Sequence, residues 1–492
     1  MQAMLRVARF AVVVVWLGLL VALVRSRGPA ESRGVPVSPS AAAPAADDAW
    51  MGVYMRGEKI GYSHSRMVPD GDGYRLTETS VLRLSVLNEV QTVRLAIDAS
   101  TGPDFAVRSF AFTLDSGLGP LDVHGTVEGD TLRLHVGDGA DASEQRIPLA
   151  QPLYLPASAR AHLTGDALAP GRTLTLSVFD PTAMQHQPLE MRVLTRAPLA
   201  VDGRAIDAWK VRESFHGTDT LVWLDDAGHT LREEGPMDMV LQREDAARAV
   251  GAGWGSEAFD LMGAVAVPVR QPIPDPRHLT RLTARLGGIG DLQVPTDQRQ
   301  SLHDGVLRVE LEPAAATYTL PYRDDEWRAA LQATPFLQVD HPRIRATASA
   351  ILDGETDSRR AVDRLRQWVY RELEKRPVAS IPNAVQVLET RAGDCNEHAI
   401  LFAALARAAG IPTRVVAGVV YANGSFLYHA WDDVWLGAGW VSVDPTFDQM
   451  PADATHVKLI EGGPQTHSAL LGVIGKLSID VLPEQQAAAD RS

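Results

Sequence analysis

The spacing of hydrophobic positions changes character along the chain, and each change predicts a different kind of element. Phe10 to Val24 is an unbroken apolar run, preceded by Arg6 and Arg9 and followed by Arg25 and Arg27. As a helix it would rise about 22 Å, short of the ~30 Å hydrocarbon core. Arginines that snorkel at both ends can still hold such a segment in a bilayer. Residues 1–27 are therefore predicted to be an uncleaved signal anchor. A cleaved signal peptide is the alternative, but Arg25 to Arg33 intervene before the small residues Ala41–Ala46. Residues 28–47, rich in Ala, Pro and Ser, have no apolar period and read as a flexible linker.

From residue 48 to 250 the pattern becomes period two. Leu82-Arg83-Leu84-Ser85-Val86, Val93 to Ile97, Leu132 to Val136 and Leu174 to Val178 alternate apolar with polar, and Asp-Gly pairs stand at 70–71, 72–73, 138–139 and 202–203. This predicts antiparallel strands joined by hairpins, with one face wet or curved around something. His64, His124, His135 and His216 are scattered among these strands, form no catalytic grouping, and are expected to be solvated. The strand pattern resembles the curved half-barrels of periplasmic lipoprotein-carrier-like domains; with no catalytic grouping in it, an accessory binding or spacer role is the default expectation.

Residues 251–320 contain Gly251–Gly255 and prolines 268, 272, 274 and 276, and read as a connector with a short strand at Leu307–Leu311. Leu286 to Gly290 is a turn, since neither GxGxxG nor a Walker lysine is present. Beyond about Pro335 the period becomes helical. His341–Leu352 is one predicted helix. Ala361, Val362, Leu365, Trp368, Val369 and Leu373 form the stripe of another, with Thr356 as its N-cap, and Ala384 to Leu388 make a short third. The whole is an α+β chain with an antiparallel β region ahead of a mixed C-terminal domain at 321–465, and a strand and tail at 466–492.

Composition narrows the chemistry. With 45% hydrophobic and 22% charged residues, the 492-residue chain is globular and long enough for two or three domains. Lys plus Arg total 47 against 61 Asp plus Glu, so the formal charge of −14 disfavours nucleic acid as a partner. A single cysteine, Cys395, excludes an internal disulfide and any multi-thiolate zinc site.

That cysteine has a telling context. In RAGDCNEHAILFAALARAAGIPTRVV, Asp394 and Glu397 form a capping-box pattern before a buried stripe, with Gly410 and Pro412 at the far end. Cys395 is thus predicted in the first turn of a buried helix, where the dipole and free N–H groups favour a thiolate and an oxyanion. A lone Cys, His or Asp is more often structural, so partners are needed. FLYHAWDDVWLGAGWVSVDPT reads as a hairpin turning at Gly437–Gly439, which brings His429 and Asp444 within a few positions of each other. Asp444 would accept Nδ1–H of His429 and leave Nε2 facing the thiol, and Pro445 would end the strand.

GDCNEHAILFAALARAAGIPTRVVAG, HAWDDVW and GWVSVDPT together resemble the signature segments of the transglutaminase-like superfamily, in the family's Cys, His, Asp order. The resemblance spans roughly Tyr322 to Gly462, including ADATHVKL. It implies a papain-like core with Cys395 as nucleophile, His429 as base and Asp444 as its orienter. Asp433 stands where many relatives carry Glu, a neutral surface exchange. His398 would be a group supporting the site, a substrate contact or a surface residue; Trp431 would shield His429 from water or simply fill the core. No cofactor and no metal are expected, and a metal site from Cys395, His398 and His429 would lack a fourth ligand. The expected activity is attack on an amide or ester carbonyl of a peptide or protein, with hydrolysis and amine transfer both open. The alternative is a silent envelope scaffold. The folded part is expected in the periplasm or outside, tethered to a bacterial inner membrane, or secreted if the N-terminal segment is cleaved.

Overall fold

The computed structural model describes residues 47–482, apart from 87–88, 118–119, 138–142, 202, 216–217, 252–253, 255–258, 314–315, 377–382, 464–465, 467–469 and 471. The expected anchor at 1–27, nearly all of the linker and the tail from 483 lie outside the described residues. Among the described residues no helix is long and apolar enough to cross a membrane. Residues 47–85 and 90–259 form one compact unit and residues 260–482 belong to another.

In the first unit the period-two pattern becomes one continuous sheet. Strands from Asp47–Met55 through Ser143–Pro148 follow one another on one side, and strands from Leu153–Tyr154 through Met239–Glu244 on the other. The two halves join where Met239–Glu244 pairs antiparallel with Asp47–Met55. Leu82 and Leu84 are buried while Arg83 between them is not, as alternation requires. The Asp70–Gly73 signal closes a tight hairpin in which those two residues pair. Phe105, Tyr154, Val178, Val211 and Phe215 belong to the buried core, with Ala159 of the short helix Pro156–Arg160. Of the scattered histidines that are described, His124 and His135 are exposed and His64 stacks on Trp50.

The second unit is built around the helix Cys395–Ala408, whose residues are buried nearly all round. Such a helix must be covered on every side. Pro342–Leu352, Ser358–Glu372 and Ala384–Thr390 cover it on one side and the strands Thr413–Ala422 and Ser425–Trp435 on the other. Asp357, one residue beyond the expected Thr356, caps Ser358–Glu372. The two strands join through Asn423-Gly424, both at positive φ, in a two-residue hairpin. The next hairpin falls at the expected place, with Trp435 opposite Trp440. Val457–Glu461 pairs with Thr413–Ala422 from its other edge.

Residues read as a connector supply, from Asp260 onward, an integral part of this unit. Arg281–Gly287 pairs with both Val306–Glu310 and Ser478–Val481. Buried Arg299 bonds Glu312 at 2.7 Å and the Ser442 hydroxyl at 2.9 Å. The Gln300 side chain donates to Lys458 O and accepts from Lys458 N. Lys458 is itself buried, its ammonium 2.7 Å from Asp297, 2.5 Å from Asp433 and 3.1 Å from Glu461. A buried ammonium is stable only when paired in this way. Asp433 is therefore an interior ion-pair residue rather than the expected surface exchange.

Gly418 lies opposite His429 and beside a register shift against Val457–Glu461. A Cβ there would lie 2.0 Å from Val457 O. Gly418→Ala is expected to lower unfolding stability by about 1–3 kcal/mol, the usual cost of overpacking, and to loosen the strand after His456. Urea denaturation measures it; an unchanged midpoint would show that the strands separate without cost.

Candidate active site

Cys395 begins its helix because Asp394 and Glu397 form a capping box. Asp394 accepts from Asn396 N at 3.0 Å, and Glu397 reaches back to accept from Asp394 N at 2.8 Å. Gly393 makes room for that return, since a Cβ there would sit 2.2 Å from Glu397 Cγ. The box therefore consumes donors that the sequence assigned to a thiolate or an oxyanion. The thiol is fully buried, and burial, together with Asp394, Glu397 and Asp444, pushes it well above its ordinary range. A hydrogen bond from the Ala430 N–H works in the opposite direction without prevailing. At rest the group is a thiol, not the thiolate that the helix dipole alone would favour.

His429 precedes Ala430 on a strand buried along almost its whole length. Its Nε2–H donates to Asp444 Oδ2 at 2.8 Å, and its Nδ1 has no hydrogen-bond partner among the described residues. The two nitrogens are thus used the opposite way round from the sequence expectation. Asp432 pairs with Val443, so Asp444 stands two positions off His429 along the hairpin. Burial holds His429 below its ordinary pKa despite Asp444, so the ring is neutral with a bare Nδ1. Phe447 stacks on it at 4.9 Å and fully buried Trp431 at 6.1 Å.

The Asp444 carboxylate accepts four hydrogen bonds. Its Oδ1 accepts from Thr446 N at 2.7 Å and Phe447 N at 3.1 Å. Its Oδ2 takes His429 and also His456, whose Nε2 lies 2.9 Å away. Burial alone would raise this carboxyl, yet the two imidazoles hold it well below the carboxylate range. His456 was not singled out from the sequence. Its only signal is its place in DATH, three residues after Asp453 and just before a strand. Its Nδ1 faces Asp453 O at 3.1 Å and Asp453 Oδ1 at 3.4 Å. Both ring nitrogens therefore face acceptors. Burial opposes charge here too, but Asp453 and Asp444 overcome it and raise the His456 pKa. One carboxylate thus holds two imidazoles in different states, a neutral His429 and an imidazolium His456. Arg277 backs the arrangement, 3.0 Å from Asp453 and 4.8 Å over the Phe447 ring.

His398 is fully buried, which rules out the surface reading. Its Nδ1–H donates to Asp394 O at 2.6 Å, and burial first, then Lys375, push its pKa down to about 3. It is a neutral group on the cysteine helix. Asn396 is also buried, and neither its amide oxygen nor its nitrogen has a partner among the described residues. Donor atoms of His429, Asp444 and His456 lie within 4.8 Å of one another, close enough to share a cation.

Residues 345–445 match the transglutaminase-like superfamily. A protein-glutamine gamma-glutamyltransferase of Pseudomonas aeruginosa is 32% identical over 157 residues, covering 26% of this chain and 24% of that protein. An uncharacterised Mycobacterium leprae protein is 26% identical over 174 residues, 32% of this chain and 61% of its own. The chain thus spans less than two thirds of either relative. A β-barrel-like protein of unknown function from Brucella abortus is 13% identical, with 42% of this chain and all of that one covered, at a TM-score of 0.33. At that score the likeness fixes no fold.

The raised His456 pKa has a sign that can be checked. Its stabilisation is complete below the ordinary value of about 6.5 and is lost as pH rises through the higher folded value. Wild type should exceed His456→Gln in unfolding stability by about 3 kcal/mol at low pH, with the gap narrowing above neutrality. Urea titrations across that range test this; a gap independent of pH would mean that the ring is not an imidazolium.

Proposed function

We propose that this protein is a thiol-dependent acyl-transfer enzyme in which Cys395, His429 and Asp444 act as a papain-type triad. One observation carries the reading: Asp444 holds His429 through Nε2 and leaves its Nδ1 without a partner among the described residues, on the strand that packs against the cysteine helix. The match of residues 345–445 to the superfamily supports the same chemistry.

In this reading His429 Nδ1 removes the Cys395 proton as Sγ attacks a carbonyl carbon. The tetrahedral oxyanion collapses, the carbonyl re-forms, and the Nδ1 proton leaves with the departing nitrogen. A thioester remains on Cys395. Water, deprotonated by Nδ1, then releases an acid, or a primary amine releases a new amide; either way the thiolate recovers its proton. Asp444 fixes the Nε2–H tautomer and balances the imidazolium of the transition state. His456 acts through Asp444, as a positioning residue that keeps the carboxylate anionic. Because thiol and imidazole are both neutral at rest, charge appears only as reaction begins, where its stabilisation counts for catalysis. The Cys395 N–H and the unpartnered Asn396 amide are the groups proposed to meet the substrate carbonyl. The name of the Pseudomonas relative suggests a glutamine side chain as acyl donor. We place the folded units outside the cytoplasm of a bacterium, on the anchor proposed for residues 1–27.

A cation shared by His429, Asp444 and His456 is the competing reading. It would need both Nε2 atoms unprotonated and would remove the bond that orients the base. Stoichiometric metal in the purified chain would overturn the triad.

Two outcomes follow. Iodoacetamide should alkylate Cys395 about tenfold or more slower in His429→Ala than in wild type near neutral pH; equal rates would mean that no base serves the thiol. A glutamine-bearing peptide should be converted by wild type and not by Cys395→Ala. Mass spectrometry with and without a primary amine then separates the glutamate of hydrolysis from the amine adduct of transfer. No turnover of any glutamine peptide would remove glutamine as the donor.

A further inference from the structure

The β unit contains an inward-facing carboxylate that its fold does not use. On the strand Gly73–Val86 the alternation that buries Leu76, Ser80, Leu82 and Leu84 also turns Glu78 inward. The strand register sets Glu78 beside Ser65 and Ala49, between the rung of Met67 and Leu76 and that of Ser63 and Ser80. There the sheet and the helix Pro156–Arg160 enclose a cavity of about 120 Å³. Met51, Met67, Leu76, Leu155 and Leu241 provide its apolar wall. Arg66 and Ala227 are lining residues exposed at the surface, so the space is reachable.

The charges inside do not balance. The Arg160 guanidinium is taken up by two bidentate partners, Glu213 at 2.7 and 2.8 Å and Glu233 at 2.5 and 2.9 Å. That group of three carries one net negative charge. Glu78 adds a second carboxyl to the same wall, without a hydrogen bond to it. Burial, then the Glu233 charge, push Glu78 up to about 7, only partly offset by Arg160. Beyond Glu78, Glu233 and Arg160, the titratable residues lining the cavity are Asp47, Arg66 and His229. The half-buried Glu78 carboxyl lines the cavity beside the negatively charged Arg160 group with no cation of its own, so a cation entering there would meet two carboxylates.

We propose that this cavity binds the lysine side chain of a peptide, its methylene stem against the methionine and leucine wall and its ammonium between Glu78 and Glu233. The space approaches the roughly 150 Å³ that holds a benzene, which suits a four-carbon stem. Charge complementarity selects the ammonium, since an uncharged chain would leave Glu78 unpaired. The inference is independent of the Cys395 chemistry. Binding ionises Glu78, so affinity rises with pH through about 7 while the lysine, with a pKa of about 10.4, stays charged.

Calorimetry on the full chain tests this with acetyl-Gly-Lys-Gly-amide, its norleucine counterpart and n-butylamine. The lysine peptide should bind about tenfold or more tighter than the norleucine peptide, and tighter at a pH of about 8 than of about 6. Glu78→Gln, near-isosteric with the protonated acid, should lose that preference with an unchanged melting temperature. Ala157→Leu, which fills the space, should abolish binding while leaving Glu78 in place. Absence of lysine-dependent heat in wild type, equal binding of the norleucine peptide, or undiminished binding by Glu78→Gln would each overturn the site. Butylamine matching the peptide would overturn a peptide as its source.

Discussion

A single carboxylate oxygen, Asp444 Oδ2, accepts hydrogen bonds from two imidazoles in a region closed to solvent. A buried charge is tolerated only when its lone pairs are taken up, and the rest of the second unit supplies the donors. The turn after Asp444 brings Thr446 and Phe447 N–H to the other oxygen. The strand Ser425–Trp435 delivers one imidazole, and the segment ahead of Val457–Glu461 delivers the other. Val457–Glu461 is in turn clamped by the buried Lys458 cluster and by Gln300 from far upstream. Loss of any of these supports would leave a charge in the interior without its compensation.

The two imidazoles then divide the work. His456 has acceptors at both nitrogens and takes the positive charge; His429 has one and stays neutral, with a lone pair to spare. This division sets the proposed chemistry more firmly than the helix dipole does. Burial raises the thiol most, and the carboxylates of the capping box at Asp394 and Glu397 raise it further, against the field of the helix start. In the proposed chemistry, a buried thiol of raised pKa would become a nucleophile only when a base removes its proton. His429 Nδ1 and the Asn396 side-chain amide stay buried without hydrogen-bond partners among the described residues.

The β unit obeys a different constraint. Period-two alternation decides which residues face the core, so a glutamate at an inward position must either find a partner or stay protonated. Glu213 and Glu233 have Arg160 as partner; Glu78 does not. One departure from an apolar pattern thereby sets a carboxyl without a partner of its own on a cavity wall.

Much of this was legible along the chain. Alternation predicted the strands, Asp394 with Glu397 predicted the start of the cysteine helix, and the Gly437–Gly439 turn predicted the pairing that sets Asp444 near His429. These are local rules, satisfied by residues a few positions apart. What the chain could not reveal depends on residues brought together from afar. Which nitrogen of His429 meets Asp444 follows from how the strand and turn meet in space. That Asp433 is interior depends on Lys458, and that residues beyond Asp260 belong to the C-terminal unit depends on Arg299, Gln300 and the pairing of Arg281–Gly287 with Ser478–Val481. His456 carries only a slight local mark, Asp453 three residues before it; the carboxylate at its other edge, Asp444, is brought there by tertiary packing. Sequence by itself determined most of the elements and named the candidate groups. Burial and long-range pairing, which no local pattern encodes, decided their protonation and their partners.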